Sequence, residues 1–126
     1  MYKLIIIDDE EKIASGMAQL FPWQNIGFEV VQVFTSARKA LQYIAENPVD
    51  VVLTDIRMKQ MTGLQMMDTI QQTGQECLFV VLSAYRDFEY AKEACDLGAF
   101  AYLLKPIEDD KLQETMQNAY RSCMEK

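Results

Sequence analysis

The chain has 126 residues, half of them hydrophobic and a quarter charged, with a formal net charge of −7. Such a chain fits one domain around a single core, and its acidity argues against this segment gripping nucleic acid, which needs clustered Lys and Arg. Histidine is absent, which removes histidine acid–base catalysis, histidine metal ligation and phosphohistidine from this chain.

Cys77, Cys95 and Cys123 are odd in number and far apart, with no CxxC pair. Neither a zinc site nor a disulfide framework is expected, and reduced thiols in a cytoplasmic protein fit best. The chain opens on a strand-like KLIII rather than a basic region with a long apolar stretch. No signal peptide and no membrane partner are expected, because no run approaches the roughly 18 apolar residues of a span.

In chain order, KLIII (3–7) reads as a strand ending on Asp8-Asp9, followed by Glu10 and Glu11. Residues 10–20 have helical spacing, with Ile13, Met17 and Leu20 on one stripe. FPWQNIGF (21–28) reads as loop from its Pro, Asn and Gly. FEVVQVF (28–34) is a second strand. Residues 36–46 form a helix capped by Ser36, with Ala37, Ala40, Leu41 and Ile44 inward. DVVLT (50–54) is a third strand, and it ends on Asp55. A helix over 64–72 places Leu64, Met67 and Ile70 inward. LFVVLS (78–83) is a fourth strand, ending on Ser83-Ala84. A helix over 87–97 offers Phe88, Ala91, Ala94, Cys95 and Leu97, with Gly98 as its stop. AYLL (101–104) is a fifth strand, ending on Lys105-Pro106. A last helix over 109–123 offers Leu112, Met116, Ala119 and Cys123.

Five strand–helix alternations imply an α/β fold, a doubly wound parallel sheet covered on both faces. In such a sheet the strand ends share one edge, where ligands bind. Asp8, Asp9, Asp55, Ser83 and Lys105 therefore converge. Taken singly, each is ordinary: a strand-end Asp is usually a turn or cap residue, acids open helices, and Ser and Lys-Pro fill loops. Together they are hard to dismiss. Clustered carboxylates repel unless a cation neutralises them, and a hard divalent ion with oxygen ligands, Mg²⁺ above all, is the natural answer. With Lys105 and Ser83 beside it, the set suits phosphoryl transfer, with Asp55 as the group that attacks phosphorus.

LIIIDDE, VVLTDIRM, VVLSAY and AYLLKP, in this order and spacing, resemble the receiver domain of two-component response regulators across essentially the whole chain, 1–126. The resemblance implies a flavodoxin-like (βα)5 fold with strand order 2-1-3-4-5. It implies that Asp55 accepts a phosphoryl group from a sensor histidine kinase. Asp9 then binds Mg²⁺ directly, Asp8 directly or through water, and Asp55 and the Arg57 backbone carbonyl complete the metal set. Ser83 bonds the phosphoryl oxygen and moves on activation, small Ala84 leaves room for it, Tyr102 turns inward as the aromatic switch, and Lys105 pairs with the phosphate. The Lys105–Pro106 bond is expected to be cis.

PWQNIGFEVV, TDIRM and SAYRDFEYAKEA further resemble receivers joined to AraC-type helix-turn-helix domains. That implies transcriptional output through a DNA-binding domain after Lys126, which this segment lacks; a stand-alone single-domain regulator is the alternative. The readout face is expected on the helix at 87–97, the strand at 101–104 and the helix at 109–123, where Phe88, Tyr90 and Tyr102 lie and where a homodimer could form on phosphorylation. Catalysis is expected to extend only to the chain's own phosphorylation and dephosphorylation. The family loop usually reads Met-Pro-x-Met-Asp-Gly, whereas Met58-Lys59-Gln60-Met61-Thr62-Gly63 stands here. Losing the proline is expected to loosen the loop, and Thr62 to replace the missing Asp cap only in part. A haloacid-dehalogenase-like phosphatase would need Asp-x-Asp after the first strand, and a flavodoxin a hydroxyl-rich loop there. IIIDDEEK offers neither.

Overall fold

The computed structural model describes residues 1–84 and 88–125, without the side chain of Phe88. Any reading of Phe88 as core or switch lies outside the described residues. Strands β1 (Tyr2–Ile7), β2 (Phe28–Phe34), β3 (Val51–Asp55), β4 (Leu78–Ser83) and β5 (Ala101–Leu104) form one sheet, paired in parallel in the order β2-β1-β3-β4-β5. Helices α1 (Glu11–Leu20), α3 (Ala37–Glu46), α4 (Gly63–Gln72), α5 (Phe88–Asp96) and α6 (Asp109–Met124) connect and follow the strands. A single helical turn, α2 (Trp23–Ile26), sits inside the stretch that reads as loop. The expected flavodoxin-like topology is the one observed.

Successive strand residues face opposite sides, so each central strand feeds two cores. Leu4, Ile6, Val51, Leu53, Val80 and Leu82 pack with Leu112, Met116, Ala119 and Cys123 of α6. Ile5, Ile7, Val52 and Phe79 pack on the other side with Ala37, Ala40 and Ile44 of α3 and Met66, Met67 and Ile70 of α4. The inward stripes expected for these three helices are all buried, save Leu41, which is half-buried. Ser36 caps α3 as expected, its Oγ accepting from the Lys39 N–H at 3.3 Å. Gly98 follows α5 at φ 86°, a left-handed conformation that glycine adopts without a Cβ clash.

Three expectations fail. In α1, Ile13 and Leu20 face solvent, Leu20 at 86 % exposure, while Ala14 is buried and Met17, Ala18 and Phe21 pack on the core. Residues 14, 17, 18 and 21 form an equally regular helical stripe, and small Ala14 and Ala18 let α1 lie close to the sheet. Cys95 of α5 is likewise exposed, and Ala94 takes the buried place. Trp23 is buried, with its indole N–H donating to the Met17 carbonyl at 2.9 Å, which anchors the turn α2 under α1. Gly27 follows at φ 122°, and a Cβ there would run into the Tyr120 ring of α6.

Stability measurements test the corrected α1 face. Leu20→Ser should shift the urea midpoint by no more than the equivalent of about 0.5 kcal/mol, whereas Met116→Ala should cost about 2–5 kcal/mol. Comparable losses would return Leu20 to the core.

Candidate phosphoryl-acceptor site

The carboxyl edge of the sheet gathers the expected acids. β1 and β3 are neighbours, so the residues following Ile7 and Thr54, which pair directly, come side by side. Asp8, Asp9 and Asp55 each offer a carboxylate oxygen, and these three lie within 4.8 Å of one another. Asp8 is fully buried, while Asp9 and Asp55 are half-buried. A donor set of three hard oxygens, one buried and two half-buried, fits a Mg²⁺-like cation, which accepts a few carboxylates and fills its remaining positions with water.

Lys105 reaches this cluster from β5. Its Nζ lies 2.8 Å from Asp8 Oδ2 and 3.4 Å from Asp55 Oδ2. The opposite oxygen of each acid is held by backbone: Glu10 N–H donates to Asp8 Oδ1 at 3.0 Å, and Ile56 N–H to Asp55 Oδ1 at 2.9 Å. Each carboxylate is therefore fixed at one oxygen and shares the lysine at the other. The Lys105–Pro106 peptide bond is cis, as expected.

Burial pushes the Asp55 carboxyl above its ordinary pKa; the Lys105 ammonium pulls it back down and the Asp8 charge adds to the rise. Burial works to lower Lys105, but its hydrogen bond to Asp8 and the two carboxylate charges outweigh this and leave it raised. Lys105 is thus a firmly held cation, and Asp55 binds its proton more tightly than an exposed carboxylate does.

Ser83, buried at 2 % exposure, ends β4 next to β3 and β5, and its carbonyl accepts from the Lys105 N–H at 2.7 Å. Ala84 follows it, exposed. Tyr102 of β5 is half-buried, and its hydroxyl is buried without a hydrogen-bond partner among the described residues. A buried, unsatisfied hydroxyl is costly. Arg57 lies two residues after Asp55, exposed, with its guanidinium carbon 5.5 Å from the centre of the Tyr90 ring.

Two supports were not legible as site residues. Thr54 is fully buried, and its hydroxyl donates to the Asp55 carbonyl at 3.0 Å. Gly63 opens α4 directly against Asp55: its N–H donates to Ile56 O at 2.8 Å, and a Cβ would clash with the Asp55 carbonyl oxygen. The glycine was visible in the sequence only as part of a loop pattern, since nothing local says that a strand end will touch it. Thr62 does more than partial capping. Its Oγ accepts from Gln65 N–H at 3.1 Å, and Gln65 Oε1 accepts from Thr62 N–H at 3.0 Å, a full capping box. Gln60, beside the missing proline, sits at φ 71°, where a side chain is disfavoured.

The response regulator receiver domain family matches residues 4–117. This chain belongs to that family. The receiver is 32 % identical over 125 residues to the transcriptional regulatory protein HptR of Staphylococcus aureus, covering 99 % of this chain and 49 % of that protein. It is 32 % identical over 117 residues to the transcriptional regulatory protein YesN of Bacillus subtilis, covering 93 % of this chain and 32 % of that one. The receiver thus spans half or less of the length of these regulators. The receiver domain of the response regulator AraT from Geobacillus stearothermophilus superposes with a TM-score of 0.90 at 31 % identity, covering 98 % of this chain and 96 % of that one.

The raised Asp55 has a consequence for stability. An acid with a raised folded-state pKa binds its proton more tightly folded than unfolded, so ionisation costs the fold stability above that pKa; the cost vanishes below the unfolded value of about 3.9. Asp55→Asn, whose amide oxygen can still accept from Ile56 N–H, should therefore melt higher than the unsubstituted receiver at pH 7. The gain should shrink to nothing as the pH falls below about 4. A melting gain independent of pH would assign the effect to packing instead.

Proposed function

We propose that this receiver is a phosphorylation switch that takes a phosphoryl group from a sensor histidine kinase onto Asp55. The observation that carries this reading is Lys105 shared between Asp8 and Asp55, with Asp9 alongside, at the open edge of the sheet. In the transfer, an Asp55 carboxylate oxygen forms a bond to phosphorus as the donor's P–N bond breaks, and the leaving imidazole keeps the electron pair. Lys105 neutralises one equatorial phosphoryl oxygen, and the Ser83 hydroxyl donates to another. The Asp8, Asp9 and Asp55 carboxylates and the Arg57 carbonyl would hold a Mg²⁺ ion, which would supply the positive charge that lets a dianionic group approach acids. Tyr102 responds to the Ser83 movement, its buried hydroxyl having no hydrogen-bond partner among the described residues to hold it in its present position. The chain catalyses only its own phosphorylation and dephosphorylation.

The donor must cover Asp55, and the α1 surface suits it. Ile13 and Leu20 are exposed beside a cavity of about 750 Å³ that also meets Ile107 and Leu112 and runs to Ala84 and Lys105 of the site. A kinase helix seated there would bring its phosphohistidine to the acceptor. Similarity to the transcriptional regulatory proteins HptR and YesN, together with the PWQNIGFEVV and SAYRDFEYAKEA signatures, supports an AraC-type DNA-binding domain as the output in the cytoplasm, with DNA contacted by that domain and not by this acidic one. A homodimer through α5, β5 and α6 would serve that output; light scattering with beryllofluoride reads it, and an unchanged mass removes it. The described residues contain no helix long and apolar enough to cross a membrane.

Mass spectrometry after incubation with Mg²⁺ and acetyl phosphate should find a single acid-stable, base-labile phosphoryl group, absent from Asp55→Asn. Equal labelling of that variant would remove Asp55 as acceptor. Leu20→Ser should label from acetyl phosphate as the unsubstituted receiver does, yet more slowly from a phosphorylated histidine-kinase domain. Equal rates from both donors would take α1 out of the docking surface.

A further inference from the structure

Asp55 carries two carboxylate oxygens, and its surroundings treat them unequally. Oδ1 accepts from the Ile56 N–H at 2.9 Å, whereas Oδ2 faces Lys105 Nζ at 3.4 Å. The oxygen turned to the lysine is the one beside the charge that Lys105 offers an incoming phosphoryl group. A carboxylate has a broad terminal torsion, so nothing in the side chain itself keeps one oxygen in that place. The bond at Oδ1 supplies the restraint. That bond is divided, because the same N–H lies 3.0 Å from the Leu82 carbonyl of β4.

The other end of the same peptide unit bears on this sharing. The Asp55 carbonyl and the Ile56 N–H belong to one planar amide. The fully buried Thr54 donates its hydroxyl to that carbonyl at 3.0 Å. Gly63 of α4 abuts the same oxygen, where a Cβ would clash. A hydrogen bond accepted at a carbonyl polarises its amide and strengthens the bond that the N–H donates. Thr54 shares its strand face with Val52, opposite to the Asp55 side chain, so its influence on the carboxylate passes through the peptide.

We propose that Thr54 is a positioning residue for phosphoryl transfer: its hydroxyl, acting through the 55–56 peptide, keeps Oδ1 on the Ile56 N–H and leaves Oδ2 as the attacking oxygen. The inference rests on the reading of Asp55 as the phosphoryl acceptor. Without the hydroxyl the N–H is held less to Oδ1, the carboxylate turns more freely, and the reacting geometry is met less often. A neutral hydrogen bond of this kind is worth a change of about two- to ten-fold.

Two substitutions separate the hydroxyl from the rest of the side chain. Thr54→Val keeps its branched shape and drops the hydroxyl, whereas Thr54→Ser keeps the hydroxyl and drops the methyl. With Mg²⁺ and acetyl phosphate, read by mass spectrometry, Thr54→Val should label about two- to ten-fold more slowly than the unsubstituted receiver. Thr54→Ser should label at nearly the unsubstituted rate. Nitrogen–proton NMR without Mg²⁺ or phosphodonor should show the Ile56 amide proton moved upfield in Thr54→Val and returned in Thr54→Ser, because a weaker hydrogen bond deshields it less. Labelling of Thr54→Val at the unsubstituted rate, an equal loss in Thr54→Ser, or an unmoved Ile56 amide proton would overturn the proposal. Should Thr54→Val fail to fold by circular dichroism, Thr54→Ala takes its place with the same expected changes. No labelling of the unsubstituted receiver, or full labelling of Asp55→Asn, would instead defeat the reading of Asp55 as acceptor, a result distinct from normal labelling that ignores Thr54.

Discussion

The ammonium of Lys105 between Asp8 and Asp55 is the interaction on which the rest of this structure depends. Strands β1 and β3 must both be buried to support two cores, and both run out into carboxylates at the same edge. Like charges so close, with water partly excluded, would push one another toward protonation. Lys105 relieves this from β5, which lies three strands from β1 in the sheet, roughly 14 Å at about 4.8 Å per strand. The long, flexible lysine stem with its compact charge covers part of that distance, and the acids' own side chains cover the rest. The five-strand order is thus part of the electrostatics. It places the cation on one flank, with β4 and Ser83 between, and leaves the other flank open.

The Asp55 end of β3 is stiffened by short-range contacts rather than by residue type. Thr54 holds the Asp55 carbonyl, Ile56 holds its carboxylate, and Gly63 admits α4 to van der Waals distance. The capping box of Thr62 and Gln65 then fixes where α4 begins. The loop is thus anchored at both ends, while Gln60 in its middle holds a left-handed backbone without being glycine.

Much of this was legible beforehand. The nearly unbroken apolar runs at 3–7, 50–54 and 78–83 could only be strands covered on both faces, and the helical spacing of Leu112, Met116, Ala119 and Cys123 admitted one inward side. Asp8, Asp9, Asp55, Ser83 and Lys105 stood at strand ends, so parallel pairing was enough to gather them. Helix α1 was ambiguous for a physical reason. Large apolar residues at 13 and 20 outweigh Ala14 and Ala18 by size, yet a helix lying close to a sheet prefers small side chains beneath it. Trp23 lay in a stretch whose Pro, Asn and Gly signalled loop, and its burial under α1 comes from a contact that neighbouring residues do not encode.

The sequence by itself determined the winding, the two cores and the identity of the groups at the sheet edge, because periodicity and strand ends are local properties of the chain. Tertiary structure decided which oxygen of each acid the lysine takes, which face of α1 meets solvent, and that Gly63 lies against the end of β3. Those outcomes depend on contacts between residues distant in the chain, and their distances exist only once the sheet has closed.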